Sequence, residues 1–293
     1  MKLIEGKPIA EAVYAECLTS FEELKAAGHL PGLAVVLVGD DPASKAYVGS
    51  KERKCKELGM HSVKIELPED TPQDRLHEVI AGLNADEAIH GILVQLPLPG
   101  HLDEDAVILR IDPAKDVDGL HPVNLGKLAM DDSTGFAPCT PSGCQRMLIE
   151  SGIETSGANV VIVGRSLLVG KSLALLMMGK GEGGNSTVTV AHSQTKDLAA
   201  LTREADILVA AIGIPYFIGP EHIKDGAVVI DVGINRIEDT SAPKGSRLVG
   251  DVDFEAVKGK CAAITPVPGG VGRMTIAMLM ANTIRACRHK AGI

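Results

Sequence analysis

The stretch from Val160 to Met178 constrains the fold more than any other part of the sequence. Four β-branched apolar residues, Val160 to Val163, lead into a segment with two glycines, Gly164 and Gly170, and an apolar segment begins at Leu173. This order predicts a buried strand, a tight turn and a helix. The first N–H groups of a helix lack partners within it, and its dipole is positive at that end. The stretch therefore predicts an anion site at a helix start.

Two nucleotide-binding motifs resemble this turn, and neither fits it literally. Gly170-Lys171-Ser172 is how a P-loop ends, but a P-loop needs another glycine five positions before Gly170, where Arg165 stands. A Rossmann turn has the pattern G-x-G-x-x-G, and Ser166 replaces its second glycine. Three interpretations stay open at this point: a dinucleotide-binding turn, a P-loop-like nucleotide hydrolase, and an ordinary turn whose glycines serve only the backbone.

Strands and helices alternate along most of the chain, which predicts parallel sheets with right-handed crossovers. The predicted strands fall into two series, 33–38, 61–67 and 91–96, then 159–163, 187–191, 206–212, 227–232 and 262–265. Only 2% of residues are aromatic, although 45% are hydrophobic, so aliphatic side chains must build the core. Such a core suits buried parallel strands. The irregular stretch 112–141, interpreted as a long loop and then a helix capped by Thr140, is the predicted passage between two domains.

Charge and cysteine content narrow the class of protein. The net charge of −9 argues against a nucleic-acid partner and against adhesion to an anionic membrane. The sequence has no apolar signal region and no apolar run of membrane-spanning length. Its six cysteines form no Cys-x-x-Cys pair and no zinc-like spacing with histidine, so no metal is expected. Reduced thiols in a cytoplasmic protein are the expected state.

One predicted helix and one predicted strand end carry candidate site residues in the first series. Ser44, Tyr47 and Lys51 are spaced i, i+3 and i+7, which places them on one helix face. A solvated basic face is the alternative. Gln95 stands near the end of an apolar strand, where ligands bind in open α/β sheets. The alternative for Gln95 is an edge position whose side chain reaches water.

The irregular stretch contains two carboxylates, Asp116 and Asp118. No further acid or histidine at suitable spacing completes a Ca²⁺ or Mg²⁺ site. An alternative that needs only one carboxylate is a hydrogen bond from the N–H groups of a ligand, and we favour it over a metal site. The alternative is a turn in which aspartate side chains bind their own backbone.

The second series lacks the acid that NAD-specific folds place about 20–30 residues after the phosphate turn to hold the ribose. The strand that should carry it ends in Ala191-His192-Ser193. Hydroxyls, the His192 imidazole and Arg165 suit a 2′-phosphate, which favours NADP; otherwise His192 only fills the strand end. Asp231, after another apolar strand, is either the acid of an ATPase or the cap of its own turn.

Taken in order, several short motifs resemble the methylenetetrahydrofolate dehydrogenase/methenyltetrahydrofolate cyclohydrolase family over essentially the whole chain. They are Tyr47-Val48-x-x-Lys51, Val94-Gln95-Leu96-Pro97-Leu98-Pro99, Lys115-Asp116-Val117-Asp118-Gly119, Pro138-Cys139-Thr140-Pro141, Gly164-Arg165-Ser166-x-x-Val169-Gly170, His192-Ser193, Gly250-Asp251-Val252-Asp253 and Pro266-Val267-Pro268-Gly269-Gly270-Val271-Gly272. Each motif is weak alone, and their number and order are highly specific. Two departures stand out, because Ser172 and Arg273 occupy positions where the family commonly has proline.

The resemblance implies an α/β fold of two domains flanking a cleft, the second a Rossmann-type dinucleotide-binding domain with a mainly parallel sheet. The implied first domain, residues 1–139 completed by a C-terminal helix at 274–293, would bind folate, and residues 140–273 would bind NADP. The implied activities are the NADP-dependent oxidation of 5,10-methylenetetrahydrofolate and the hydrolysis of the methenyl product to 10-formyltetrahydrofolate. A homodimer that serves one-carbon metabolism and purine biosynthesis is also implied.

The resemblance also implies roles for single residues. Lys51 would be the catalytic lysine, Gln95 and Tyr47 its neighbours at the substrate, and Asp118 the pterin-binding carboxylate. The residues implied for NADP are Gly164, Arg165, Ser166, His192, Ser193 and Ile234, and those lining the folate site are Pro268, Gly269 and Gly270. A non-catalytic dinucleotide sensor is the rival; loss of Lys51 or Asp118 would mark it, and both are present.

Overall fold

The structure is a computed structural model that describes residues 1–242 and 245–293 of the chain. Its α-helices are α1 Gly6–Ala26, α2 Pro42–Glu57, α3 Gln73–Ala85, α4 Glu104–Ile108, α5 Pro122–Ala129, α6 Cys139–Glu150, α7 Ser172–Met178, α8 Leu198–Thr202, α9 Phe254–Val257 and α10 Val271–Ala291. Its strands are β1 Lys2–Leu3, β2 Gly32–Val38, β3 His61–Leu67, β4 Gly91–Val94, β5 Asn159–Val163, β6 Thr187–Ala191, β7 Ile207–Ala210, β8 Val228–Asp231, β9 Asn235–Glu238, β10 Ser246–Val249 and β11 Ala263–Ile264.

The chain divides into two compact units. The unit with the glycine turn, here the turn unit, consists of residues 1–11 and 140–275. The other, here the lysine unit, consists of residues 12–139 and 276–293. The division differs from the predicted one at the start of the chain, because β1 pairs in parallel with β11, Lys2 opposite Ala263. The first eleven residues thus belong with the later series of strands.

The lysine unit has a three-stranded parallel sheet in the order β3-β2-β4. Every residue of β2 is buried, as expected for the central strand of a sheet covered by helices. Apolar side chains of β2 and β4 pack with those of α3, Leu76, Ile80 and Leu83 among them. Since β2 and β4 run in parallel, their carboxyl ends lie at one edge of the sheet.

The turn unit has a six-stranded parallel sheet in the order β1-β11-β8-β7-β5-β6. Strands β7 and β5 lie side by side in its interior, with β6 as the edge strand next to β5, and both are almost wholly buried. Their aliphatic residues pack against Ile218, Ile223 and Val257. The predicted α/β class with a mainly parallel sheet is confirmed.

Several short elements of the structure were not predicted, among them α5 and the strands β9 and β10. Helix α5 interrupts the expected loop 112–141, and the next helix begins at Cys139 rather than after Thr140. Strands β9 and β10 form an antiparallel hairpin in a segment with no clear apolar alternation. Helix α5 is short, and His121 caps it by accepting a hydrogen bond from the Val123 N–H (3.1 Å) through a ring nitrogen. Histidine is not among the usual capping residues, so this helix start was missed.

Candidate active site

Lys51 lies on the buried face of α2. The helix begins after Asp41, whose carboxylate accepts a hydrogen bond from the Ser44 N–H (2.7 Å), and Pro42 occupies its first turn. Lys51 shares the buried face with Val48 and is only 5% exposed. Its Nζ donates a hydrogen bond to Gln95 Oε1 at 2.9 Å. The solvated basic face considered for this helix is therefore wrong for Lys51.

Gln95 is held on both sides so that its amide oxygen accepts from Lys51. Its backbone N–H donates to the Val36 carbonyl at 2.9 Å, which extends the sheet pairing one residue beyond the end of β4. Its Nε2 donates to the Leu96 carbonyl at 2.7 Å. With the amide nitrogen used in this way, Oε1 is the atom left to accept from the Lys51 amine.

Burial and charge act in opposite directions on Lys51. Desolvation lowers the pKa of Lys51, because a buried ammonium loses its hydration. The negative charge of Asp118 raises it, and burial is the larger effect. Tyr47 lies one turn earlier, with its ring centroid 5.9 Å from Lys51 Nζ. Burial raises the pKa of Tyr47, so its hydroxyl stays protonated at neutral pH.

The two carboxylates of the irregular stretch have different surroundings. Asp116 is 2% exposed and accepts hydrogen bonds from the N–H groups of Leu120 (3.3 Å) and His121 (2.8 Å) and from the Asn124 amide (2.8 Å). It is the turn residue of the alternative interpretation. Asp118 is half-buried and lies close to the Cys139 thiol. Of the two, Asp118 is the more exposed and is the candidate for binding a ligand.

The loop that carries Asp118 is fastened by two residues that sequence reasoning did not single out. Asn282 on α10 donates from its amide to the carbonyls of Val117 (2.9 Å) and Ala137 (3.1 Å). The Cys139 thiol donates to the Val117 carbonyl at 3.3 Å. Burial raises the pKa of Cys139 well above its ordinary value, and the Asp118 charge adds to this, so it stays a thiol. A buried asparagine in an apolar helix was the available sequence signal for Asn282.

The glycine turn of the turn unit brings three backbone segments into contact. A Cβ on Gly164 would lie 2.1 Å from the Ala211 carbonyl oxygen, and one on Gly170 would lie 2.0 Å from the Gly164 carbonyl oxygen. Gly164 also has a φ of +130°, which side chains rarely allow. Both glycines are therefore required for close approach of backbone to backbone.

The helix after this turn begins with a π-helical turn at Leu167–Lys171, whose cap residue Ser166 accepts a hydrogen bond from the Val169 N–H (3.2 Å). The Ser172 hydroxyl donates to the Leu167 carbonyl at 2.5 Å, so it is used within the helix. The P-loop-like ending thus has its hydroxyl satisfied by the chain itself, which disfavours the hydrolase alternative.

The other predicted NADP residues lie near the carboxyl ends of this sheet. Arg165 is exposed, and across residues 1–242 and 245–293 its guanidinium has no hydrogen bond or ion pair. His192 and Ser193 follow β6, the neighbour of β5; the Gly164 N–H donates to the Ala191 carbonyl at 2.9 Å. The His192 Nδ1 accepts from the Gln194 N–H (3.2 Å), which leaves Nε2 as a donor. Ile234 follows β8 and is 43% exposed.

Pro268, Gly269 and Gly270 belong to the turn unit by their contacts. The Gly6 N–H donates to the Gly269 carbonyl at 2.8 Å, and a Cβ on Gly6 would lie 2.2 Å from the Gly270 carbonyl oxygen. This loop is thus built against the first residues of the chain. Its implied place in the folate site stays a prediction.

The described part of the chain, residues 1–242 and 245–293, shows neither a membrane-spanning helix nor a metal-binding cluster. No helix there is both long and apolar enough to cross a membrane. No group of three or more histidine, cysteine, aspartate or glutamate side chains there is arranged to hold a metal ion.

The Lys51 environment gives a pH prediction. We expect the enzyme-dependent hydrolysis of the methenyl compound to rise with pH and to level off below pH 10.5, the ordinary pKa of lysine, because burial lowers the pKa of Lys51. Between the lowered pKa of Lys51 in the folded protein and 10.5, the pKa of lysine in the unfolded chain, only the unfolded chain binds this proton. The free energy of unfolding therefore also rises with pH in this range. Rates are measured against a blank without protein. A pH dependence unchanged in Lys51→Met would contradict the assignment.

A parallel sheet in which an interior strand ends in a close-packed glycine turn, with an exposed arginine beside it, is typical of a dinucleotide-binding domain. Comparison with known proteins agrees. Residues 138–291 match the family model for the tetrahydrofolate dehydrogenase/cyclohydrolase NAD(P)-binding domain, and residues 4–118 match the model for the catalytic domain of the same family.

Relatives match the whole chain. It is 55% identical over 295 residues to the bifunctional protein FolD of Chlorobium luteolum, covering 100% of both chains. Its fold matches the bifunctional FolD methylenetetrahydrofolate dehydrogenase/cyclohydrolase of Campylobacter jejuni with a TM-score of 0.92 and 43% identity, covering 99% of both chains. It matches the Trypanosoma brucei enzyme, solved with NADP and an inhibitor, with a TM-score of 0.93 and 38% identity, covering 99% of this chain and 98% of that one.

The chain therefore belongs to the tetrahydrofolate dehydrogenase/cyclohydrolase family. The predicted family and α/β fold class are confirmed, and so are the two activities and the use of NADP. The comparisons do not support the nucleotide hydrolase or the non-catalytic sensor. The roles of single residues stay predictions.

Proposed function

We propose that the residues around Lys51 carry out the folate chemistry of this chain and that the glycine turn holds NADP. The chain oxidises 5,10-methylenetetrahydrofolate and then hydrolyses the methenyl product to 10-formyltetrahydrofolate. The observation that carries the proposal is the buried Lys51 amine, held at 2.9 Å by the Gln95 amide oxygen. A lysine so placed is suited to proton transfer near neutral pH.

The oxidation makes small demands on this chain's side chains. The one-carbon bridge of the substrate lies between two nitrogens, whose lone pairs stabilise the cation left when hydride departs. NADP, when bound, supplies the hydride acceptor. The protein therefore acts mainly by holding the reacting carbon close to that acceptor, and by orienting the pterin.

Asp118 is proposed to orient the pterin. A pterin presents N–H donors along one edge, and an ionised carboxylate accepts hydrogen bonds only. Asp118 is half-buried and its loop is fastened through the Asn282 amide, so its position is set before substrate arrives. A fixed acceptor loses little conformational entropy when the ligand binds.

The hydrolysis is the step that needs proton transfer. Water adds to the methenyl carbon and loses one proton, which leaves a hydroxyl on that carbon. The hydroxyl then loses its proton as the carbonyl forms, the bond from the carbon to N5 breaks, and N5 gains a proton, so that one proton is released overall. The unprotonated Lys51 amine is placed to accept the first proton and to return one to N5. Gln95 holds the amine in position through Oε1, and the Tyr47 ring covers it on one side.

The turn unit has the groups that a 2′-phosphate of NADP requires. Arg165 offers a guanidinium that no described residue occupies, and Ser193 offers an exposed hydroxyl nearby in the strand order. Guanidinium groups bind phosphate through two parallel hydrogen bonds. Gly164 and Gly170 let the backbone segments of the turn pack closely against one another and against Ala211.

The proposal also covers the cellular compartment and the oligomeric state. All six cysteines are buried free thiols, which supports residence in a reducing, cytoplasmic compartment. The homodimer implied by the family resemblance is testable by sedimentation: a mass of about twice the 30.6 kDa chain is expected, and a monomer at micromolar concentration would contradict it.

The cofactor site is tested by Arg165→Ala. We expect the KM for NADP to rise about 10- to 100-fold and that for NAD to change little, because a charge-assisted phosphate contact of about 1.5–3 kcal/mol is lost. The measurement is cofactor reduction with methylenetetrahydrofolate at varied NADP or NAD. Equal losses for both cofactors would refute the 2′-phosphate role.

The matched control is Arg203→Ala, an arginine of the same unit whose guanidinium donates to the Glu221 carbonyl (2.8 Å) instead. It should leave both KM values unchanged. In the wild-type chain, turnover of ATP without cofactor reduction would contradict the whole proposal.

A further inference from the structure

Two buried carboxylates of the turn unit have no part in the proposal so far. Asp231 is 3% exposed and Asp251 is 0% exposed. Within the described ranges, neither forms an ion pair with a lysine, arginine or histidine. Burial of an unpaired charge is costly, so each needs another source of stabilisation. The source is a set of N–H donors.

Asp251 joins the two segments that follow β7 and β8. Its Oδ2 accepts from the N–H groups of Ile212 (2.6 Å) and Gly213 (2.9 Å), just after β7. Its Oδ1 accepts from the Asn235 side-chain amide (2.8 Å), which lies after β8. One carboxylate thus fixes two neighbouring segments at the carboxyl edge of the sheet.

Asp231 fixes the backbone segment that carries Asp251. Its oxygens accept from the backbone N–H groups of Gly233, Asp251 and Val252, each at 3.0 Å. The backbone approaches so closely that a Cβ on Gly250 would lie 1.7 Å from Asp231 Oδ2. Asp231 therefore caps its own turn through the Gly233 N–H, as one of the two interpretations predicted, and it also binds the segment that contains Asp251.

The segment that Asp251 holds is the one against which the glycine turn packs. Ala211 precedes Ile212, and its carbonyl oxygen is the atom that a Cβ on Gly164 would meet at 2.1 Å. The Ala211 N–H donates to the Val163 carbonyl at 2.8 Å, at the end of β5. Ile234, a predicted NADP residue, stands beside Asn235 in the other segment. Both segments lie where ligands bind in such sheets.

We propose that Asp251 is a positioning residue for NADP: it sets the segments after β7 and β8 against the glycine turn, so that the cofactor meets a preformed site. The inference rests on the proposed placement of NADP at the glycine turn. A negative charge near an anionic cofactor would repel it, so attraction is not the reason for this carboxylate. Its effect is to reduce the ordering that binding would otherwise require.

The test compares Asp251→Ala and Asp251→Asn with Asp225→Ala, an exposed carboxylate of the same unit. NADP affinity is measured by calorimetry, and hydrolysis of the methenyl compound is measured without NADP. In Asp251→Ala we expect the NADP Kd to rise about 10- to 100-fold, since the N–H groups of Ile212 and Gly213 lose their acceptor. Hydrolysis, which is proposed for the lysine unit, should stay within about twofold of wild type. Asp251→Asn, which keeps one acceptor oxygen, should recover most of the affinity.

Three outcomes would overturn the inference: an unchanged NADP Kd, a parallel loss of both activities, or an Asn variant no better than the Ala variant. If Asp251→Ala does not fold, Asn235→Ala removes one of the three donors and should still weaken NADP. Arg165→Ala separates the two proposals. If it weakens NADP and Asp251→Ala does not, only the positioning role fails; if it has no effect, the placement of NADP fails.

Discussion

Lys51→Met is expected to lower the hydrolysis of methenyltetrahydrofolate by about 10²- to 10⁴-fold, the range that general acid–base groups contribute. Methionine fills most of the volume of the buried lysine, but its side chain can neither donate nor accept a proton. Lys51 lies in the lysine unit, so the NADP Kd should stay the same. The measurement is the rate at which the methenyl compound disappears, after subtraction of the rate without protein.

Lys51→Arg is the matched control, because arginine keeps the positive charge and is never deprotonated in proteins. If Lys51 acts only through its charge, the arginine variant should retain much of the rate. If it transfers protons, both variants should lose it. Wild-type hydrolysis in Lys51→Met would show that another group moves the proton.

Gly164→Ala is expected to destabilise the turn unit by about 3 kcal/mol and to abolish NADP binding at concentrations that saturate the wild type. The new Cβ would lie 2.1 Å from the Ala211 carbonyl oxygen, and that oxygen belongs to backbone that cannot rotate away. The φ of +130° adds strain, since alanine rarely adopts it. Urea unfolding and NADP titration measure the two effects.

Gly157→Ala is the control that separates backbone strain at a positive φ from the steric clash of a new Cβ. Gly157 has a φ of +74°, but nothing lies within 4 Å of the position its Cβ would occupy. The cost there should be only about 1 kcal/mol, because a single left-handed residue is strained and nothing more. Equal destabilisation by both substitutions would mean that the contact between Gly164 and Ala211 has no special importance.

The parts of this fold that could be predicted from sequence are those governed by local pattern. Strands β5 and β6 have the predicted bounds, and the Tyr47 and Lys51 face follows from helical spacing. Local pattern could not distinguish Asp116 from Asp118, and only the family resemblance chose Asp118, because the difference depends on donors from Leu120, His121 and Asn124 that the folded loop supplies.

Contacts between distant segments were the main omission. Asn282 reaches Val117 across 165 positions of sequence, and Asp251 reaches Gly213 across 38. No local period marks either residue, since each is a polar side chain whose partners are carbonyl or N–H groups of another loop. The same reason explains why the first residues of the chain were predicted to belong to the first domain, although Lys2 and Leu3 pair with β11.

The interleaved division of the chain has a consequence for how the protein is made on the ribosome. The lysine unit takes residues 12–139 and 276–293, and residues 140–275 separate these two segments. The Asp118 loop therefore waits for its Asn282 anchor until the whole turn unit has been translated. Domains often fold in the order of synthesis, but here the first core to emerge is completed last. A nascent chain paused before residue 276 would carry a lysine unit that still lacks its last segment.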